Sequence, residues 1–312
     1  MSNKQSTDLQ DPLHLVSPSL RPYIELIRLE KPTGTILMFW PFAWGLTMAA
    51  FRIKLPLGIY AVQLMKCFVG AIIVRSSACT VNDIIDREMD AGVGRTQRRP
   101  LPSGQISVSS ALIFLLFQYV LGISFFYLAF SNTAPFIDLI RFVIYPLLKR
   151  CTHWPQAWLG IAMNFGFITA WSASVESFDV SLLVSSLMGC WCWTMLYDTI
   201  YACQDIKDDV KVGVRSTAIL FGTWIRPLLV GCGLLFLVML SVAGLANTQG
   251  PAYFVISVGG TATHLIWQYM AVDLESPKSC WTNFKRNGHL GWIVWAGLLV
   301  DYFQLVSSIH VY

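Results

Sequence analysis

The chain has 312 residues, of which 55% are hydrophobic and 13% charged, with a formal net charge of +4. A soluble domain carries about 25% charged residues, so the composition excludes an ordinary soluble protein, and so small a net charge gives no ground for a nucleic-acid partner. Several apolar runs reach about 20 residues, the length that crosses a bilayer as a helix, and the chain reads as a polytopic membrane protein embedded in lipid.

Residues 1–20 form a polar tail with two acids and one base. A mitochondrial transit peptide is rich in Arg and poor in acids, and a secretory signal has an apolar core. The tail resembles neither, so the first apolar helix is expected to serve as the insertion signal, with 21–312 as one transmembrane domain. Nine apolar segments follow, near 34–51, 57–80, 107–130, 134–148, 156–173, 178–201, 224–246, 251–272 and 289–308. Pro41 is expected to kink the first, and Asp138 and Arg141 interrupt the fourth. The eight cysteines form no CxxC pair and read as buried free thiols.

The connections alternate in character. Those after the even-numbered segments carry most of the Arg and Lys, while the other side has little beyond Arg52 and Lys54. By the positive-inside rule the N-terminus and these basic loops face the cytosol, or the matrix of a mitochondrion. Acids contribute little to orientation, so those mixed among the bases need another explanation.

Asn82 to Gly104 reads NDIIDREMDAGVGRTQRRPLPSG, with four acids and four arginines. If the second segment continues as a helix through Asp90, then Asn82, Asp83, Asp86 and Asp90 fall within a wedge of about 100°, with Glu88 on the far side. The stretch from Tyr197 to Ala218 repeats the arrangement. Treated as one helix, it brings Asp198, Asp205, Asp208, Asp209 and Tyr201 to a second wedge about 100° wide. NDIID and QDIKD resemble each other, which suggests an internal duplication. Both clusters emerge at the same membrane face. Converging carboxylates repel unless a cation joins them, and Mg²⁺ takes one or two carboxylates together with phosphate oxygens. The neighbouring arginines suit bidentate phosphate recognition. The two clusters therefore point to a metal–diphosphate site.

These stretches carry a family resemblance. NDxxDxxxD is met by Asn82, Asp83, Asp86 and Asp90, and RTxxRPLxSG by Arg95 to Gly104. DxxYAxQDxxDDxxxGxxS is met by Asp198, Tyr201, Ala202, Gln204, Asp205, Asp208, Asp209, Gly213 and Ser216. With RLEKPTGTILMFWP (Arg28 to Pro41) and YPLLKRCTHWPQAWLGIAMNFG (Tyr145 to Gly166), the chain resembles the UbiA superfamily of intramembrane aromatic prenyltransferases, in its 4-hydroxybenzoate polyprenyltransferase branch.

The resemblance implies an all-α bundle of about nine transmembrane helices around a central cavity with a polar cap. It implies Mg²⁺ as cofactor, one ion held by Asn82, Asp86 and Asp90 and the other by Asp205 and Asp209, with Asp83 counted among the metal ligands of the first motif. Arg28, Arg95, Arg98, Arg99 and Lys149 are the implied prenyl diphosphate contacts. Asp198 and Tyr201, on the metal-facing wedge, are the candidates to orient an aromatic acceptor or take its ring proton. Phe39, Trp40, Trp44, Tyr145 and Trp171 are candidates to line a channel, with interface packing the competing reading. No obligate protein partner is implied.

The expected reaction is transfer of a prenyl group, farnesyl for preference, to a phenolic acid or polyketide in meroterpenoid biosynthesis, in the endoplasmic reticulum with the polar loops toward the cytosol. The alternative is the 4-hydroxybenzoate polyprenyltransferase of ubiquinone biosynthesis in the mitochondrial inner membrane. From another class, a transporter is disfavoured because the acids cluster at helix ends among phosphate-binding bases. A prenyl diphosphate synthase would spell its motifs Asp-Asp-x-x-Asp on soluble helices.

Overall fold

The computed structural model describes residues 15–130, 136–177 and 179–309, and these are built from helices and turns. Most of the polar tail expected over 1–20 lies outside the described residues, as do the side chains of Asp138 and Arg141. A short helix α1 (Arg21–Leu26) precedes α2 (Thr33–Ile53), α3 (Leu57–Gly92), α4 (Val108–Phe130), α5 (Phe136–Cys151), α6 (Pro155–Ser172) and α7 (Val180–Ala202). Two short helices, α8 (Ile206–Val212) and α9 (Thr217–Phe221), lead to α10 (Ile225–Ala246). A π-helical stretch, Tyr253–Gly259, runs into α11 (Gly260–Ala271), and α12 (Pro277–Ile309) ends the fold.

Each of the nine apolar segments coincides with a helix in this series. Six helical stretches among the described residues are long and apolar enough to cross a membrane by length and composition. The chain is a multi-pass integral membrane protein. Helix α4 shows why a bilayer is required. It buries only Ala111, Gln118, Gly122, Phe126 and Phe130, spaced along one face, and leaves large apolar side chains such as Leu128 exposed. Lipid is the solvent that this surface fits.

The bundle closes through α2, which packs on α3, α6 and α12 and is buried along most of its length. Glycines permit the close crossings that membrane helices use. A Cβ on Gly45 would stand 2.4 Å from the Phe167 carbonyl oxygen, and one on Gly166 would stand 2.4 Å from the Phe42 ring. The indole N–H groups of Trp40 and Trp44 donate to the carbonyls of Gly288 and Gly291 at 3.1 and 3.2 Å, tying α2 to α12. Trp171 is buried as well. These three tryptophans do not line the cavity described below, and neither does Phe39. Close packing of apolar faces without water claims them for the helix interfaces, the competing reading above.

Helix α3 has 36 residues, about 54 Å at 1.5 Å per residue, against about 30 Å of hydrocarbon. Its excess length raises the first acid motif out of the apolar layer. There a small separate core of Leu26, Leu101, Ile106 and Ala111 joins α1 to the segment after α3 and roofs the bundle end.

The Gly45–Phe167 crossing makes a direct prediction. Gly45→Ala is expected to lower stability by about 1–3 kcal/mol, because backbone on the opposing helix cannot swing aside. Thermal unfolding of the purified protein in detergent reads it, and an unchanged midpoint would show that α2 and α6 can separate freely.

Candidate active site

Helix α3 continues unbroken past Asp90, as the wedge argument requires, and one face of it runs Arg75, Cys79, Asn82, Asp86 and Asp90 along a cavity of about 980 Å³. Spacings of three and four residues keep these side chains on one stripe.

Asp83 stands apart. It is fully buried, does not line the cavity, and accepts from Arg28 and, at 3.2 Å, from Arg99. Arg99 bridges onward to Asp90 at 2.5 Å. Arg28 sits just past α1 in the left-handed region at φ 59°, a conformation that costs a non-glycine residue roughly 1–2 kcal/mol. That turn delivers its guanidinium to Asp83. Burial works against the charge on Arg28, but Asp83 outweighs it and holds the pKa above the ordinary value.

The second motif departs from a single continuous helix. Helix α7 stops at Ala202, residues 203–205 turn, and α8 restarts at Ile206 and ends at Gly213, whose φ of 77° suits glycine. The break rotates Asp208 away from the cavity, where it pairs with Lys211 at 3.1 Å. Asp198, Tyr201, Asp205 and Asp209 do line the cavity. Burial and the neighbouring Asp205 push the Asp209 carboxyl up to about 7.

All five expected basic residues line the same cavity. Lys149 donates to Asn82 at 3.1 Å and Asp86 at 2.8 Å, and lies 4.8 Å from the centre of the Tyr145 ring. Arg95 reaches across to the second motif, donating to Asp205 at 2.5 Å while its guanidinium lies 5.0 Å from the Tyr201 ring centre. Arg98 has no carboxylate within ion-pair distance among the described residues.

Most of the acids in the cluster are thus held by bases. Among the described residues no group of three or more His, Cys, Asp or Glu side chains is drawn together as a metal cage. Yet the buried Asp86 Oδ1 has no hydrogen-bond partner, and the set Asn82, Asp86, Asp90, Asp205 and Asp209 offers oxygen donors alone. That chemistry fits a hard divalent cation such as Mg²⁺.

The structure also brings in residues that sequence reasoning passed over. Arg75 lies seven residues before Asn82, about 10 Å deeper along α3, and its Nε is buried without a partner. Tyr197, Trp281 and Phe284 join Tyr145 and Tyr201 as the aromatic wall. A lone arginine within an apolar run is a signal in itself, since intramembrane charges are expensive and functional by default. Trp281 and Phe284 come from α12 and carried no local signal. The eight cysteines are all free, and only Cys151 is exposed.

Comparison with known proteins agrees with this architecture. The model of the UbiA prenyltransferase family matches residues 38–295. The chain is 44% identical over 306 residues to the UbiA prenyltransferase claS of Ampulloclitocybe clavipes, covering 96% of this chain and 94% of that one. It is 37% identical to the mitochondrial 4-hydroxybenzoate polyprenyltransferase of Drosophila melanogaster, covering 95% of this chain and 74% of that one. In fold it resembles the apo UbiA homolog of Aeropyrum pernix K1, with TM-score 0.70, 20% identity and coverage of 85% and 97%. It also resembles the Archaeoglobus fulgidus UbiA homolog bound to GPP and Mg²⁺, with TM-score 0.61, 16% identity and coverage of 92% and 99%. The matched span covers most of the chain, and with these relatives it establishes that this protein belongs to the UbiA prenyltransferase family.

Proposed function

We propose that this enzyme transfers a prenyl group, farnesyl for preference, from its diphosphate to the ring of a phenolic acid or polyketide, with Mg²⁺ as cofactor. The observation that carries the reading is the cavity itself. Carboxylates from two separate motifs and five basic side chains from three parts of the chain converge on one chamber. A prenyl diphosphate meets both halves of that chamber, with anionic oxygens for the bases and an apolar tail for the aromatic wall.

In this reading Asn82, Asp86 and Asp90 hold one cation, and Asp205 and Asp209 the other. Bound there, the metal would neutralise charge on the diphosphate as it leaves. Arg28, Arg95, Arg98, Arg99 and Lys149 take the diphosphate oxygens. The pairs Arg95–Asp205, Lys149–Asp86 and Arg99–Asp90 then serve as an exchange: bases turn to phosphate, and acids are released to the cation. Asp83 keeps Arg28 and Arg99 aimed from behind instead of acting as a ligand, because both arginines bond its Oδ1 and the residue does not face the chamber.

Breaking the allylic C–O bond leaves the electron pair on the diphosphate and a cation on the prenyl chain, to which the faces of Tyr145, Tyr201 and Phe284 are available. A ring carbon of the acceptor attacks, forming the C–C bond. The proton lost from that carbon goes to Asp198, which lines the cavity near Lys149 and Arg75. Arg75 is suited to the acceptor carboxylate, being a half-buried cation whose buried Nε has no partner.

We favour a specialised role over ubiquinone synthesis, since claS, at 44% identity, is not named for 4-hydroxybenzoate, as the Drosophila enzyme at 37% is. With that role goes the endoplasmic reticulum, the polar cap facing the cytosol. The second reading, 4-hydroxybenzoate polyprenylation in the mitochondrial inner membrane, rests on the names and similarity of those relatives.

Three outcomes test the proposal. Membranes containing the enzyme, given Mg²⁺, prenyl diphosphates of several lengths and a panel of phenolic acids, are expected to yield a C-prenylated acid by mass spectrometry. EDTA or Asp86→Ala should abolish that product. Selective use of 4-hydroxybenzoate with long donors would move the enzyme to the quinone pathway, and no product with any acid would sink both readings. Asp83→Asn is expected to raise the KM for prenyl diphosphate by about tenfold, through loss of a charged hydrogen-bond partner, with the Mg²⁺ requirement unmoved; a shift of the Mg²⁺ titration would return Asp83 to the metal site. Asp198→Asn should lower kcat by about 10²-fold or more, as loss of a general base does; unchanged turnover removes it from proton transfer.

A further inference from the structure

Beneath the charged mouth of the cavity lies a polar chain that the reaction above does not use. Asn164 of α6 is fully buried, and its amide nitrogen donates to the carbonyls of Gly160 and Cys190 at 2.7 and 3.1 Å and to the Thr194 hydroxyl at 2.7 Å. Thr194 of α7, also fully buried, donates in turn to the Tyr197 hydroxyl at 3.1 Å. Unpaired polar groups in such an interior cost free energy, so a chain of this kind must end in an acceptor. Among the described residues the last proton, that of Tyr197, has none.

The ring of Tyr197 is clamped. Trp193 meets it edge-on at 5.1 Å and Phe284 at 5.9 Å, and Trp193 is anchored through its indole N–H to Asn287 at 3.1 Å. Thr194 occupies one side of the hydroxyl oxygen, and the residue lines the cavity. With its oxygen accepting from Thr194, Tyr197 keeps its own proton to donate toward the chamber. Arg75, whose buried Nε has no partner, lines the same cavity. The chamber therefore holds two donors set deeper than the bases that face the acid motifs.

We propose that Tyr197 is the hydrogen-bond donor that seats the carboxylate of the aromatic acceptor beside Arg75, and that Asn164 and Thr194 are positioning residues that fix its hydroxyl as a donor. The inference rests on the reading that the acceptor is an aromatic acid. It adds a specificity element: an acceptor whose anionic oxygen sits at this depth presents its ring to the prenyl cation in one orientation, which selects the carbon attacked.

The experiment uses the full chain in lipid nanodiscs, with 4-hydroxybenzoate and an orsellinic-type acid as acceptors and a fixed prenyl diphosphate. Tyr197→Phe is expected to raise the acceptor KM by roughly tenfold or more, the effect of losing a hydrogen bond to a charged group, while the KM for the diphosphate stays unchanged. Thr194→Val should shift the same constant in the same direction, and Thr194→Ser should restore it. The double variant Tyr197→Phe/Thr194→Val should be no worse than Tyr197→Phe alone, because Thr194 acts only through Tyr197. Product analysis should show loss of a single ring position in both variants.

An unchanged acceptor KM in Tyr197→Phe overturns the proposal, as does a parallel rise in the diphosphate KM, which marks a merely structural role. Additive losses in the double variant overturn the relay. If the unaltered protein makes no product with either acid, and neither acid quenches its tryptophan fluorescence, the aromatic-acid reading fails and takes this inference with it. Quenching with intact Tyr197 that persists in Tyr197→Phe defeats the inference alone.

Discussion

Carboxylates gathered at the end of a membrane helix repel one another and resist desolvation, and the polar cap is organised around relieving that cost. Arg95 crosses from the segment after the first motif to Asp205 of the second, at 2.5 Å. Lys149 comes up from α5 to Asp86, at 2.8 Å. Arg28 arrives from the N-terminal side to reach Asp83, which Arg99 also holds. Each pairing ties together parts of the chain distant in sequence. The cap is thus cross-linked by the same charges that we propose bind the diphosphate and its cation, so that in this reading stability and chemistry share one set of residues.

That sharing explains why the acids are not gathered as a cage. A buried ion pair gains little over an apolar contact but is costly to break on one side only. A ligand carrying both signs, anionic phosphate with a divalent cation, can take both halves of each pair at once. Neither charge is then left stranded. A cation alone or a phosphate alone offers no such exchange, which favours joint binding of the two. The apolar remainder of the substrate meets aromatic side chains and lipid-like surfaces, so a membrane fold suits a reaction whose bond-making step has nothing to do with transport.

Below the cap the bundle is held by close helix crossings. Glycines at 45 and 166 let α2 and α6 approach until backbone and ring touch, and tryptophan indoles from α2 meet carbonyls on α12. This rigid frame sets the depth of the cavity floor, where Asn164, Thr194 and Tyr197 pass one hydrogen bond to the next. The Asn164 amide nitrogen and the Thr194 hydroxyl both find partners within the protein at that depth.

That the chain spans a membrane, where its helices lie, and that two acid motifs with trailing bases share one membrane face can all be read from the order of the residues. Those properties follow from local quantities: length of apolar run, helical period and the placement of charge between spans. The same logic placed Asn82, Asp86 and Asp90 on one stripe, because α3 runs straight through them. Which way each side chain is turned once the helix ends or meets a neighbour depends instead on packing between distant segments. The turn at 203–205 sends Asp208 outward, two arginines from elsewhere in the chain cover Asp83, and Trp40, Trp44 and Trp171 go to packing instead of the channel. Arg75 and Tyr197 come to line one chamber only when α3 and α7 both border the cavity. Rotation of a helix about its own axis is set by contacts many residues away, and no local pattern records it.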